Sequence, residues 1–295
     1  MGPTEWFLLL ALAFVWGGSF LFGRIVVAEI APLTATWLRV ALAALTLQVL
    51  VIAMREPGIA LPWCDLAIMG LLNNVIPFSL ILSGQTVIGA GLAAIVNAAT
   101  PIWTVLLAHA ATADERLSRR KVVGVLLGFT GVAVLVGTAA LDGLRSSVLA
   151  QVAVLGATLS YALAGLWGRR FAKLPPVQTA RGQLWSSTLV LTPLVLLSEP
   201  LPQAWPSAPV VASVVAMAVL STALAYIMFF RILARAGATN VALVTFLVPP
   251  FAIVMGWAVL GETLELRHVV GFAIILAGLV AVDGRLLRRR MRERP

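Results

Sequence analysis

The sequence predicts an all-α polytopic membrane protein: ten transmembrane helices arranged as two inverted five-helix repeats, with both termini cytoplasmic. Three observations predict it. The first is composition. Of 295 residues, 61% are hydrophobic and only 11% are charged, with a mean hydropathy of +1.01. A soluble domain carries about 25% charged residues, so this chain cannot cover a water-facing surface, and lipid must solvate most of its length. The second is an internal duplication, and the third is a lopsided distribution of Lys and Arg between the loops.

The duplication relates residues 88–137 to 236–284. Gly89-Ala90 returns as Gly237-Ala238, Pro101 as Pro249, Glu115 and Leu117 as Glu262 and Leu264, Val122-Val123-Gly124 as Val269-Val270-Gly271, and Gly131 as Gly278. The spacing is 148 residues up to the prolines and 147 after them, so one copy has lost a loop residue. Further upstream, Trp16, Gly23 and Arg24 match Tyr161, Gly168 and Arg169 at a spacing of 145. The repeats therefore span 1–140 and 146–287, and 288–295 forms a basic cytoplasmic tail. Matching helix breakers in a duplicated membrane domain are a mark of transport proteins.

A spanning helix needs about 20 apolar residues, and the segments follow in order. Residues 5–27 lack a basic leader and exceed a signal-peptide core, so they are a retained helix rather than a cleaved one. Residues 34–54 follow Pro32 and end at Arg55-Glu56-Pro57-Gly58. Residues 65–84 carry Asn73-Asn74 and Pro77, and the short Gly84–Gly89 link makes 88–110 their antiparallel neighbour. Residues 121–138 are glycine-rich and close the first half. In the second half, 148–168 run to the Pro175-Pro176 breaker, 179–198 to the proline-rich stretch 200–209, and 209–230, 238–260 and 266–286 complete the set.

Orientation follows from the basic residues. With the N-terminus inside, the inner loops and tail hold seventeen Lys and Arg, against three (Arg24, Arg145 and Arg267) outside. Five helices per half is an odd number, so the second repeat starts on the opposite face and is inverted. The net charge of +9 gives no nucleic-acid signal, because it sits in short loops and in Arg288–Arg294, where it anchors the chain at an anionic membrane face. The single Cys64 precludes an intrachain disulfide and a cysteine metal site. No zinc motif, phosphate loop or nucleophile elbow is present, so the sequence predicts no catalytic residue, no cofactor and no metal.

All twelve acidic residues fall in loops or at helix ends, which argues against a midplane carboxylate that carries protons or sodium. Arg39 is the one deep charge, one and a half to two turns inside the second helix. It is expected to be structural or gating, with a substrate carboxylate as the functional alternative. Pro101 and Pro249 each remove a backbone hydrogen bond and kink their helices. The freed carbonyls fall near Asn97 and Thr245, which are repeat mates. Uncharged polar groups such as Asn73, and aromatics too deep for the interfacial belt, make a binding set of Trp16, Asn73, Phe78, Asn97, Trp103, Tyr161, Tyr226 and Thr245.

Trp16-Gly17-Gly18-Ser19-Phe20, Arg39, Pro101, the Glu115-Arg116-Leu117 turn and the glycine-rich fifth helix resemble an EamA domain, and Pro249 with Gly261-Glu262 repeats it. The whole chain resembles a ten-helix member of the drug/metabolite transporter superfamily, with YddG-type exporters of aromatic and other neutral amino acids the nearest kind. The resemblance implies a bacterial inner-membrane exporter working as a monomer on a small-molecule solute. Helices 3, 4, 8 and 9 would enclose a central uncharged cavity, with helices 1, 2, 6 and 7 moving around it. It also implies that the Glu115 and Glu262 turns are structural. Multidrug or lipophilic-cation export, or another metabolite permease of the same superfamily, is the alternative.

Overall fold

The computed structural model describes residues 2–56, 58–111, 119–136, 145–199, 204–236 and 244–283. Among them the regular structure is helical. Helix α1 is Pro3–Val26 and α2 is Pro32–Ala53. Helix α3 is continuous over Trp63–Gln85, and α4 comes in two pieces, Ala90–Asn97 and Thr100–Ala111. Helix α5 is Arg119–Val136, and α6 is Arg145–Trp167 with a 3₁₀ turn at Gly168–Phe171. Pro176–Ser198 is α7, and α8 runs from Ala208 to Ala236. Val244–Leu260 is α9 and Leu266–Asp283 is α10. Six of these helices are long and apolar enough to cross a membrane, and shorter apolar stretches lie in α5, α9 and α10. Large side chains such as Phe7, Val49, Leu189 and Leu197 remain exposed on helix faces, as a lipid-solvated bundle requires.

Helix packing obeys an exchange of the two halves. α1 packs on α9 as α6 packs on α4, α1 on α8 as α6 on α3, and α2 on α8 as α7 on α3. Two seams join mates directly, α2 with α7 and α5 with α10. Both run antiparallel. Leu33 and Thr34, at the start of α2, bond to Glu199 just past the end of α7, and Trp37 Nε1 donates to Thr192 Oγ1 at 2.9 Å. In the other seam a Cβ at Gly131 would lie 2.7 Å from the Gly271 carbonyl oxygen, and one at Gly278 would lie 2.6 Å from that of Gly124. The repeated glycines thus let two backbones touch without side chains between them. Because repeat mates run in opposite directions, the halves are inverted in the fold itself.

The prolines act differently in the two halves. Helix α4 breaks at residues 98–99, just before Pro101, whereas α9 carries Pro249 and Pro250 inside an unbroken helix. The Asn97 carbonyl, next to the break, is taken by the Thr100 hydroxyl at 2.8 Å.

Glu262 caps α4 rather than its own helix. Its carboxylate accepts the backbone N–H groups of Ala90 and Gly91 at 2.8 and 3.1 Å, so the turn before α10 holds the start of α4 in the other half. A Cβ at Gly89 or at Gly256 would lie within 2.7 Å of that carboxylate, so both glycines make room for it. Its repeat mate Glu115 lies outside the described residues.

Candidate solute site

The middle of the bundle is organised by two π turns that the hydropathy pattern does not reveal. Helix α3 widens at Leu71–Val75 and α8 at Val219–Leu224, starting 148 residues apart. A π turn inserts an extra residue into an α-helix, disturbs the hydrogen-bond ladder and re-aims neighbouring side chains. Here the two turns carry Asn73-Asn74 and Ser221-Thr222, and the same spacing pairs Phe78 with Tyr226. Each turn is tied to a mate helix. Ser160 Oγ on α6 donates to the Leu72 carbonyl at 2.7 Å, and Ser221 Oγ donates to the Val15 carbonyl on α1 at 2.9 Å.

Around the turns the polar side chains form a network. Asn73 Nδ2 donates to the Tyr226 hydroxyl at 3.1 Å and to Gln183 Oε1 at 3.4 Å. The same hydroxyl donates to Asn74 Oδ1 at 2.8 Å, and Asn74 Nδ2 donates to Ser187 Oγ at 2.9 Å. Asn74 is fully buried, whereas Asn73 and Tyr226 keep some accessible surface. Arg39 Nε donates to Thr222 Oγ1 at 2.9 Å, and its guanidinium carbon lies 3.8 Å from the centroid of the Phe78 ring. Tyr161 and Tyr226 pack against the same apolar cluster as Phe78. Among the expected residues, the structure therefore brings together Asn73, Phe78, Tyr161, Tyr226 and Arg39.

The others stand apart. Trp16 packs on Phe229 of α8 with ring centroids 5.8 Å apart. Trp103 stands edge-on to Phe129 of α5 at 5.2 Å. Asn97 ends the first piece of α4, and its Oδ1 is buried with no partner among the described residues. Thr245 is half-buried at the start of α9, and Pro249 is buried further along it. Sequence reasoning missed Gln183 and Ser187. Their signal was present: they are one turn apart on α7, and Gln183 stands 144 residues after Arg39, the spacing between Pro32 and Pro176 that open the two helices.

A cavity opens at one end of the bundle, where the end of α1, the α3–α4 turn, the start of α8 and the α9–α10 turn meet. This cavity of about 950 Å³ is lined by groups that include Arg24, Glu29, Ser207, Glu262 and His268. Its charged groups are already engaged. Arg24 donates to the Gln85 carbonyl at 2.6 Å, and Glu29 accepts the Ser207 hydroxyl and backbone N–H at 2.6 and 2.7 Å. The two Ser207 bonds hold the Glu29 carboxyl below its usual range.

A lipid-solvated helical bundle, built from two inverted copies that share a polar centre, has the architecture of a membrane transporter. The chain belongs to the EamA-like transporter family, whose pattern matches residues 4–137 and 148–282. It is a multi-pass membrane protein, and its family and relatives are transporters. It is 21% identical to the uncharacterized transporter YoaV of Bacillus subtilis, over 96% of this chain and 98% of that one. It is 27% identical to a probable amino-acid metabolite efflux pump of Salmonella typhimurium, over 99% of both chains. A probable terminal-alkyne amino-acid exporter of Streptantibioticus cattleyicolor is 28% identical over 70% of this chain and 68% of its own. A solved crystal structure shares the fold with a TM-score of 0.70 at 19% identity, covering 98% of this chain and 100% of that one.

Proposed function

We propose that the chain exports small metabolites, neutral or aromatic amino acids foremost, across a bacterial inner membrane. It would cross the bilayer ten times with both termini in the cytoplasm and work as a monomer, by alternating access around the centre of the bundle. The observation that carries this reading is the network at the two π turns. Amide and hydroxyl groups stand beside the rings of Phe78, Tyr161 and Tyr226 in the interior, which suits a solute with a polar backbone and an apolar side chain. The unpartnered Asn97 Oδ1 adds a buried acceptor that an ammonium group could satisfy. Two relatives named for amino-acid export support the same substrate class.

The carboxylates of the described residues sit in loops or at helix ends, which supports downhill movement over proton antiport. A buried guanidinium beside the network disfavours a lipophilic cation as the solute.

Purified protein in liposomes, offered radiolabelled amino acids, dyes and nucleosides, tests the reading. Amino acids should equilibrate across the membrane. Movement of dyes or nucleosides alone would sink the substrate assignment, and uphill amino-acid movement driven by a pH jump would sink the facilitator.

A further inference from the structure

We infer that Arg39 is the anion subsite of this protein, and that it holds the carboxylate of a small organic solute through its two terminal nitrogens. The inference rests on the transport reading above and names the chemistry that its central site selects.

Arg39 is 7% exposed, in the interior of α2. Its hydrogen bonds among the described residues reduce to one, from Nε to the Thr222 hydroxyl. One face of the guanidinium lies against the Phe78 ring. With one face and the Nε edge occupied, the edge carrying both terminal nitrogens remains. That edge presents parallel N–H groups in the fork that a carboxylate accepts bidentately. Among the described residues no carboxylate lies within ion-pair distance to use it, because the acidic groups sit at helix ends and in loops. A buried, unpaired guanidinium is among the most costly groups a bundle can carry, and a neutral hydroxyl and an aromatic face offset only part of that cost.

The repeat supplies the control. The mate of Arg39 in the second half is Gln183, because Pro32 and Pro176 open the two helices 144 residues apart, and the mate of Thr222 is Asn74. In that half α7 meets its π turn through neutral groups alone: Gln183 Oε1 accepts from Asn73 at 3.4 Å, and Ser187 Oγ accepts from Asn74 at 2.9 Å while donating to the Gln183 carbonyl at 2.7 Å. Joining a π turn to its neighbouring helix therefore needs no charge. The charge is extra in one half only, and it stands beside the Asn73–Tyr226 network.

The test is binding by the purified full chain of L-phenylalanine and of L-phenylalaninamide, which replaces the carboxylate by a neutral amide. Phenylacetate serves as a carboxylate without an amino group. Wild type should prefer phenylalanine to its amide. Arg39→Gln should weaken phenylalanine about a hundredfold, the scale of losing one partner of a buried charged pair, and change the amide less than about threefold. Equal loss of both ligands, or undiminished phenylalanine binding, overturns the inference. Where Arg39→Gln is not monodisperse, Arg39→Lys decides. A charge without the fork should weaken phenylalanine and spare the amide, and equal effects on both ligands again overturn it. Should wild type bind phenylacetate through Arg39 but no amino acid, the anion subsite stands and the amino-acid reading falls. Should it bind no carboxylate-bearing ligand, the subsite falls too.

Discussion

The Tyr226 hydroxyl joins both asparagines of the α3 π turn, receiving from Asn73 and donating to Asn74. Among the described residues it is the only ring hydroxyl bonded to that turn, and its repeat mate Phe78 has none to offer. Tyr226→Phe keeps the ring and removes the hydroxyl, leaving the fully buried Asn74 Oδ1 without this donor. The expected cost is about 1–3 kcal/mol, the range for a buried polar group that loses its partner. Initial transport rates in liposomes should fall several-fold at unchanged reconstitution, and a rate equal to wild type would remove the hydroxyl from the mechanism. The individual residues of this network were legible as polar intramembrane groups. Their partners were not, because a hydrogen bond between α3 and α8 joins positions 152–153 residues apart, and local pattern says nothing at that range.

At the scale of the element, the helices followed from apolar length and from their breakers: the first seven expected spans agree with the observed helices to within a few residues, α8 runs six residues past its expected end, and the start of the ninth span and the end of the tenth lie outside the described residues. The π turns did not follow, since the residues across 71–75 and 219–224 are compatible with an ordinary α-helix and only packing on α6 and α1 shows where the ladder widens. Nor did the asymmetry of the prolines, which depends on how each helix is supported by its neighbours. The Glu262 cap is also a tertiary feature. A carboxylate at a helix N-terminus satisfies free amides and complements the helix dipole, yet the sequence places Glu262 beside α10 and the fold gives it to α4. Glu262→Gln keeps the shape and loses the charge, and should destabilise the protein by about 1 kcal/mol. Thermal unfolding followed by size-exclusion chromatography in detergent reads this, and an unchanged midpoint would show that the cap carries no stability.

For the whole molecule, the inversion of the repeats was read from an odd helix count and the distribution of Lys and Arg, and the antiparallel α2–α7 and α5–α10 seams show it independently. Placement in the membrane remains a matter of charge, and it predicts that a C-terminal fluorescent protein folds and fluoresces in cells while a C-terminal alkaline phosphatase stays inactive. The reverse pair of results would invert the topology. One tie beside the end cavity makes a pH prediction. Glu29 joins the α1–α2 turn to the start of α8 through Ser207, and its folded pKa lies below the ordinary carboxylate value. A depressed pKa means that the tie contributes fully above the unfolded value and is lost as pH falls through the folded one. Between pH 7 and 5 the tie should be constant, and acidification below the usual carboxylate range should release it. Thermal midpoints of wild type and Glu29→Gln should converge in that acid range, and a constant gap down to low pH would show that the difference is not electrostatic.

The sequence by itself determined the solvent, the duplication, the helical segments and the sense of inversion, because each is written in composition or in a spacing along the chain. Only the tertiary structure decided which polar groups already satisfy one another and which remain open. Gln183 accepts a bond from Asn73, whereas Arg39, at the matching position in the other half, keeps its terminal nitrogens free among the described residues. The physical reason is that a side chain's hydrogen-bond capacity is filled by neighbours from other helices. Near-symmetric positions can therefore differ completely once the bundle assembles.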